Sequence, residues 1–169
     1  QRDKKEIFDI GPEVDPGSLR GNPFSGATPW PEGQPDFEDA MRAHFTICEQ
    51  LSQTIVEAIC LSLGLPRGRL TKSFEPAHTS FLRLNYYPVE DPLSDIPEEA
   101  GAGADLGIHH HSDAGAVTIL IQDDVGGLQV FKDDYWYDVE PIKDAFVVNI
   151  GDMFQVWSND QYRAALHRV

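Results

Sequence analysis

The spacing of apolar residues changes period once along this chain, and that change limits the architectures open to it. From Asp36 to about Leu63, residues Phe37, Met41, Phe45, Cys48, Leu51, Ile55, Ile59 and Leu63 recur three or four apart, which puts them on one face of an α-helix. Pro35 and Asp36 suit the start of such a helix, and Glu38 and Asp39 suit its positive first turn. Gly64 followed by Pro66 suits its end. Past Pro66 the period becomes two. Thr79–Tyr87, Ala116–Ile121, Gly127–Phe131, Trp136–Val139 and Ala145–Ile150 are short β-rich runs separated by turn residues. A helix followed by several strands implies an α+β fold, mainly β, with the helix packed against a sheet. No heptad continues beyond Pro66 to sustain a coiled coil.

Other stretches constrain the organisation. Residues 9–36 carry so many Gly and Pro that a regular helix or central strand is excluded. Phe24, Trp30 and Phe37 within or beside this stretch suit a loop lying against a core, although a free tether has a similar composition. Pro88–Ala104, acidic and interrupted by Pro92 and Pro97, reads as a long loop between strands, either a solvated connector or a lid. Gly126-Gly127 reads as a hairpin turn between Asp123–Val125 and the strand at Leu128–Val130. Asn149-Ile150-Gly151-Asp152 reads as a strand ending in a tight turn.

Charge and length narrow the partners. The 169 residues carry a formal net charge of −15, which would repel nucleic acid and anionic membrane surfaces. The longest apolar runs fall far short of the roughly 20 residues a membrane-spanning helix needs. The polar start, Gln1 to Glu6, lacks both an initiator Met and the apolar core of a secretory signal, so the expectation is a removed leader or a fragment. Cys48 and Cys60 lie 12 residues apart on the expected helix, about 18 Å along its axis, too far to be bridged. Reduced thiols and a cytoplasmic home follow.

The residues that can carry chemistry cluster at His109-His110-His111-Ser112-Asp113. In an extended chain, positions i and i+2 share a face, so His111 and Asp113 can converge on one ion; His109 shares that face and His110 does not. A final strand could bring His167 alongside His111. Two imidazoles and one carboxylate occupy one side of an octahedral metal and leave the other side open, as a non-heme Fe(II) site requires. A solvated histidine-rich tract would contain the same His-x-Asp pair. His44 and His78 are expected to be packed or solvated, and Trp136 to pack on the sheet.

The sequence around the pair is more specific. Leu106–Leu120, Asp124–Val130, Ala145–Asp152, Trp157-Ser158-Asn159-Asp160 and His167-Arg168-Val169 follow one another as in the isopenicillin N synthase-like family of Fe(II)/2-oxoglutarate-dependent oxygenases, which this chain resembles. Leu82–Pro88 and Lys5–Gly11 also look like family segments. The resemblance implies a double-stranded β-helix (jelly-roll) core backed by the long N-terminal helix. It further implies one oxygenase domain over residues 1–169, with a loop-rich entry (1–35), a helix (36–64) and a β-helix core (79–169). Its ferrous ligands would be His111, Asp113 and His167, and Asn85 and Tyr87 match positions lining the 2-oxoglutarate site in many members. A phenol can donate to a carboxylate oxygen and an amide can orient it; packed roles for both residues stay open.

The implied cofactors are Fe(II), 2-oxoglutarate and O₂, and the implied reaction oxidises a small organic substrate with release of succinate and CO₂. Family members usually carry, after the far histidine, an Arg-x-Ser pair for the distal carboxylate of 2-oxoglutarate. This chain ends at Val169, so no residue is assigned that role, and the domain is expected to be shortened at both ends. Two alternatives stand beside this reading: an Fe(II) oxidase of the same fold that does not use 2-oxoglutarate, and a metal- or ligand-binding β-barrel module without turnover.

Overall fold

The structure, a computed structural model, describes residues 3, 5–12, 27–74, 78–88 and 106–169. The expected loop at Pro88–Ala104 lies almost entirely outside the described residues, as does much of the Gly/Pro-rich stretch. The chain divides into two compact units, Ile7–Leu84 and a second formed by Gln1–Glu6 with Asn85–Val169.

The first unit is dominated by α1, Pro35–Ser62, with Pro35 in the first turn beside Asp36 and Glu38. Its end is chemically defined. Gly64 adopts φ +72°, a conformation that costs glycine little, while Gly64 N–H bonds Leu61 O (3.0 Å) and Leu65 N–H bonds Cys60 O (2.9 Å). These two bonds satisfy carbonyls that the last turn would otherwise leave without partners. Val56, Ile59 and Cys60 are the buried residues of α1, so the inward stripe runs slightly to one side of the apolar series read from the sequence. Near its start, Phe37 meets Phe8 and Trp30, with all three ring centroids 5.8–6.1 Å apart. Arg42 lies over the Trp30 ring at 5.0 Å and also pairs with Glu38. Trp30 and Phe37 are thus packed, as the large side chains around the Gly/Pro-rich stretch suggested. Thr71–Phe74 forms a 3₁₀ turn.

His44 contacts Cys48 Sγ (3.4 Å) and His78 Nε2 bonds Glu49. Both histidines therefore have packed, local partners. Burial raises the Cys48 thiol pKa, which disfavours the reactive thiolate, and both cysteines are free thiols.

Strand β1 (Glu6–Ile10) pairs with β2 (Leu82–Tyr86) in a two-stranded sheet. Across it the Arg83 guanidinium makes two 2.7 Å hydrogen bonds to the Asp9 carboxylate. Both side chains are more than a third exposed, so solvent screens the pair. Arg83→Met is expected to lower the unfolding free energy by no more than about 1 kcal/mol, as read from a urea midpoint shift at constant slope.

The second unit holds the remaining strands. β3 (Val117–Leu120) pairs antiparallel with β6 (Val147–Ile150), with Thr118 opposite Asn149. β4 (Gln129–Lys132) lies between β5 (Tyr135–Asp138) and β7 (His167–Arg168), again antiparallel. The hairpin of this sheet is not at Gly126-Gly127. It turns at Asp133-Asp134, both with positive φ (49° and 67°), the backbone a two-residue turn needs to follow the twist of its strands. Gly126-Gly127 belongs to a loop entered by an Asx turn, Val125 N–H to Asp123 Oδ1. Trp136 packs on Phe131 (5.1 Å) and under the Arg168 guanidinium (4.0 Å), the sheet position expected for it.

The segment after Asn149 also differs from the tight turn expected there. Gly151 opens a short helix, α2 (Asp152–Trp157), whose Phe154 is fully buried and makes edge contacts with Trp157 and Tyr162. Among the described residues no helix is long and apolar enough to cross a membrane.

Candidate metal centre

Besides the pairing of β7 with β4, His167 and His111 exchange backbone hydrogen bonds, both 2.9 Å, as an isolated antiparallel bridge. That pairing brings residues from distant parts of the chain side by side, with imidazole centroids 4.3 Å apart. Asp113, two residues beyond His111, presents Oδ1 3.9 Å from His111 Nε2 and 3.6 Å from His167 Nε2. One ligating atom from each of the three residues lies within 4.8 Å of the others, the one group of this kind among the described residues. His167 is buried, while His111 and Asp113 are half-buried. The site is therefore walled on the His167 side.

Both imidazoles are held in the same way. His111 Nδ1 lies 2.8 Å from its own i−2 carbonyl, His109 O, and His167 Nδ1 lies 2.9 Å from Ala165 O. A carbonyl can only accept, so Nδ1 carries the proton in each ring and Nε2 keeps its lone pair for the space shared with Asp113. Such a second partner is what orients a metal-ligating histidine.

The surrounding backbone anchors both ligand segments to α2. Asp152 N–H donates to Asp113 O (2.7 Å) and Met153 N–H to Gly115 O (3.2 Å), so the helix start caps the loop carrying the carboxylate. Gly151 N–H donates to Ala116 O (2.9 Å). One turn later, Gln155 Oε1 accepts the Ala164 N–H (2.7 Å) and its amide donates to Asp160 Oδ1 (2.9 Å), which fixes the approach to His167. Buried Ser158 ties the same stretch by accepting from Tyr162 N–H (3.1 Å). Short as it is, α2 contacts both ligand-bearing stretches.

His109 does not join the cluster. Its backbone N–H and Nδ1 donate to Asp3 Oδ1 at 3.3 and 2.9 Å, and that side-chain hydrogen bond holds the Asp3 carboxyl below the usual carboxylate range. His110 turns toward Trp136 (6.4 Å between rings). Of the three consecutive histidines, one faces the shared space.

The sequence profile of the 2OG-Fe(II) oxygenase superfamily matches residues 78–169, more than half of the chain. The chain belongs to that superfamily. It is 38% identical over 145 residues to the 1-aminocyclopropane-1-carboxylate oxidase of Musa acuminata, a match covering 83% of this chain and 44% of that protein. Among solved structures, a full-length Neurospora crassa protein crystallised in complex with alpha-KG superposes with a TM-score of 0.81 at 33% identity, covering 99% of this chain and 48% of that one. JOX2 in complex with 2OG, Fe and JA superposes with a TM-score of 0.77 at 33% identity, covering 99% and 45%. This oxygenase-family chain thus spans less than half the length of each of these relatives.

The donor set fits a ferrous ion. Two neutral imidazoles and one carboxylate form the facial set that leaves open positions on non-heme Fe(II). Cis positions on an octahedral ion with bonds of about 2.1 Å lie about 3.0 Å apart, so the 3.6 and 3.9 Å imidazole–carboxylate separations would close by less than about 1 Å around an ion.

Asn85 and Tyr87, the two positions expected to face a keto acid, lie at the end of β2 and just beyond it. Asn85 is exposed; Tyr87 is half-buried, its ring covering Gly107 so closely that a Cβ there would come within 2.9 Å of Cε1. Gly107 leads into the loop carrying His111, so Tyr87 packs on the approach to the triad.

Sequence reasoning missed Gly151, Gln155 and the backbone donors of Asp152 and Met153. Their signal was slight: a Gly-Asp pair where an apolar strand stops, which suits a turn as well as a helix start.

Proposed function

We propose that this chain is part of a non-heme Fe(II)- and 2-oxoglutarate-dependent dioxygenase that hydroxylates or desaturates a small organic substrate, releasing succinate and CO₂. The observation that carries the reading is the convergence of His111 Nε2, His167 Nε2 and Asp113 Oδ1 in a chain of this superfamily. These three residues would hold the metal. Bound there, Fe(II) supplies open positions at which 2-oxoglutarate and O₂ are brought together, coupling decarboxylation of the keto acid to oxidation of a substrate C–H bond.

The chain's own groups do the rest. The Nδ1 protons are spoken for by backbone carbonyls, so each imidazole offers its lone pair without first changing tautomer. The Asp113 carboxylate offsets part of the cation's charge. Asn85 orients and Tyr87 donates to a carboxylate oxygen of the keto acid. The relatives solved with alpha-KG, or with 2OG and Fe, support this assignment of cofactors.

The same reading extends to architecture. Residues 1–35, 36–64 and 79–169 form one oxygenase domain, whose antiparallel strands belong to a jelly-roll barrel. High TM-scores over 99% of the chain support it. A cytoplasmic location accords with the two free cysteines. The net charge of −15 favours a small-molecule substrate over nucleic acid or a membrane surface.

The test is an anaerobic titration of Fe(II)-loaded protein with 2-oxoglutarate, followed by visible absorption, with His111→Ala alongside. A metal-to-ligand charge-transfer band is expected in the parent and none in the variant. If Fe(II) binds the parent and no band forms, this chain by itself does not chelate the keto acid: the oxidase without 2-oxoglutarate gains, or keto-acid binding needs residues beyond this chain, which the same titration of a longer chain distinguishes. If Fe(II) does not bind, the three-residue assignment fails.

A further inference from the structure

In the strand Val147-Val148-Asn149-Ile150 the amide is the odd residue, since asparagine is among the poorer strand formers and its neighbours are among the best. Its position is set by the β3–β6 pairing, which places it opposite Thr118 and, with a period of two, on the same face as Val147. On that face Asn149 is half-buried, and its Nδ2 lies 3.4 Å from Asp113 Oδ2. The two oxygens of Asp113 therefore differ in their surroundings. Oδ1 faces the two imidazoles at 3.6 and 3.9 Å, whereas Oδ2 faces an amide donor. The contact is long, but its geometry is constrained from both ends. Asn149 is fixed in a sheet ladder, and the Asp113 backbone is fixed by the Asp152 N–H at 2.7 Å, three residues further along the same segment.

We infer that Asn149 is a positioning residue for the metal centre, holding Asp113 Oδ2 so that Oδ1 alone is turned toward the histidines. The inference rests on the proposed metal-binding reading and deepens it. A carboxylate free to rotate can offer both oxygens to an ion and occupy a coordination position that a second ligand needs. A donor on Oδ2 opposes that rotation. Outer partners of metal ligands typically contribute about 10–100-fold to metal affinity.

The experiment measures Co(II) binding to the full chain by visible absorption, whose band intensities report coordination number, in the parent and three variants. Asn149→Asp keeps the shape and replaces the donor by a second carboxylate; Asn149→Leu keeps the approximate volume and removes polarity. Thr118→Val alters the cross-strand neighbour without touching Asp113. Thermal melts of the metal-free proteins identify any loss of fold. The expected result is a Co(II) dissociation constant raised about 10–100-fold in both Asn149 variants, with altered band intensities, and a parent-like constant and spectrum in Thr118→Val. Parent-like binding and spectra in the Asn149 variants would overturn the inference while leaving the metal site intact. An equal loss in Thr118→Val would overturn it too, by assigning the effect to the sheet. Failure of the parent to bind Co(II) or Fe(II) would remove the metal site itself, and the inference with it.

Discussion

Gly151→Ala is expected to weaken Fe(II) binding by about 10–100-fold and to destabilise the fold by about 1–3 kcal/mol, a large response to a single methyl group. Gly151 is buried and has ordinary extended dihedrals (φ −94°, ψ 169°), so backbone strain is not the reason. The reason is space. A Cβ at this position would overlap the Gly115 carbonyl oxygen, lie 2.7 Å from its carbon and 3.0 Å from Asp113 O. All three are backbone atoms that cannot swing aside like the tip of a side chain. Relief requires the loop carrying Asp113 to move away from α2, and that stretches the hydrogen bonds that Gly151, Asp152 and Met153 donate to it. Gly115→Ala is the matched control, because a Cβ there meets nothing within 4 Å. Urea denaturation and anaerobic Fe(II) titration of both variants check the expectation. Parent-like behaviour of Gly151→Ala would mean that the close approach of α2 to the metal loop is wrong.

Asp113→Asn is expected to do the opposite: it should cost little stability and nearly all metal affinity. The substitution keeps the shape and an acceptor for the Asn149 amide, and the side chain is only partly exposed rather than sealed, so the metal-free fold should change by less than about 1 kcal/mol. Metal binding loses the only anionic member of the triad, and a fall beyond the ~100-fold typical of outer-partner losses is expected. Isothermal titration with Fe(II), combined with a thermal melt of the metal-free protein, separates the two quantities. For the parent, affinity should fall steadily on acidification, because both imidazoles must be unprotonated to bind. If Asp113→Asn binds Fe(II) as the parent does, the carboxylate is not a ligand.

How legible each feature was depended on how local its cause is. Helix α1 has nearly eight turns over which a period of 3.6 can declare itself, and Gly64 marks its end by a conformation that few other residues adopt cheaply. Helix α2 has fewer than two turns, too short for any period. The β4–β5 hairpin was hidden because Asp133 and Asp134 adopt the positive φ that glycine usually supplies, while Gly126-Gly127 nearby offered a false turn. At the site, His111 and Asp113 were readable as i and i+2 on one face. A final strand that could bring His167 alongside His111 was readable as well, the family resemblance singled His167 out as a ligand, and the folded chain shows the two paired through their backbones. The contacts of Asp3 with His109 and of Asn149 with Asp113 join segments distant in sequence, and no local pattern announces them. Asn85 and Tyr87 came from the resemblance alone, and of the two only Tyr87 is seen packed against the loop that leads to the triad.

The bridge between His111 and His167 has a consequence for the molecule's endurance as well as its chemistry. His111 lies outside the named strands and meets β7 as an isolated bridge. An ion shared by the two histidines would act as a removable rivet across that seam, binding the closed register and not the frayed one. By mass action, a free metal concentration 100 times the dissociation constant would add about 2.7 kcal/mol to the closed form. The melting temperature would then rise with metal supply, and chelators would open the His111–His167 pairing first.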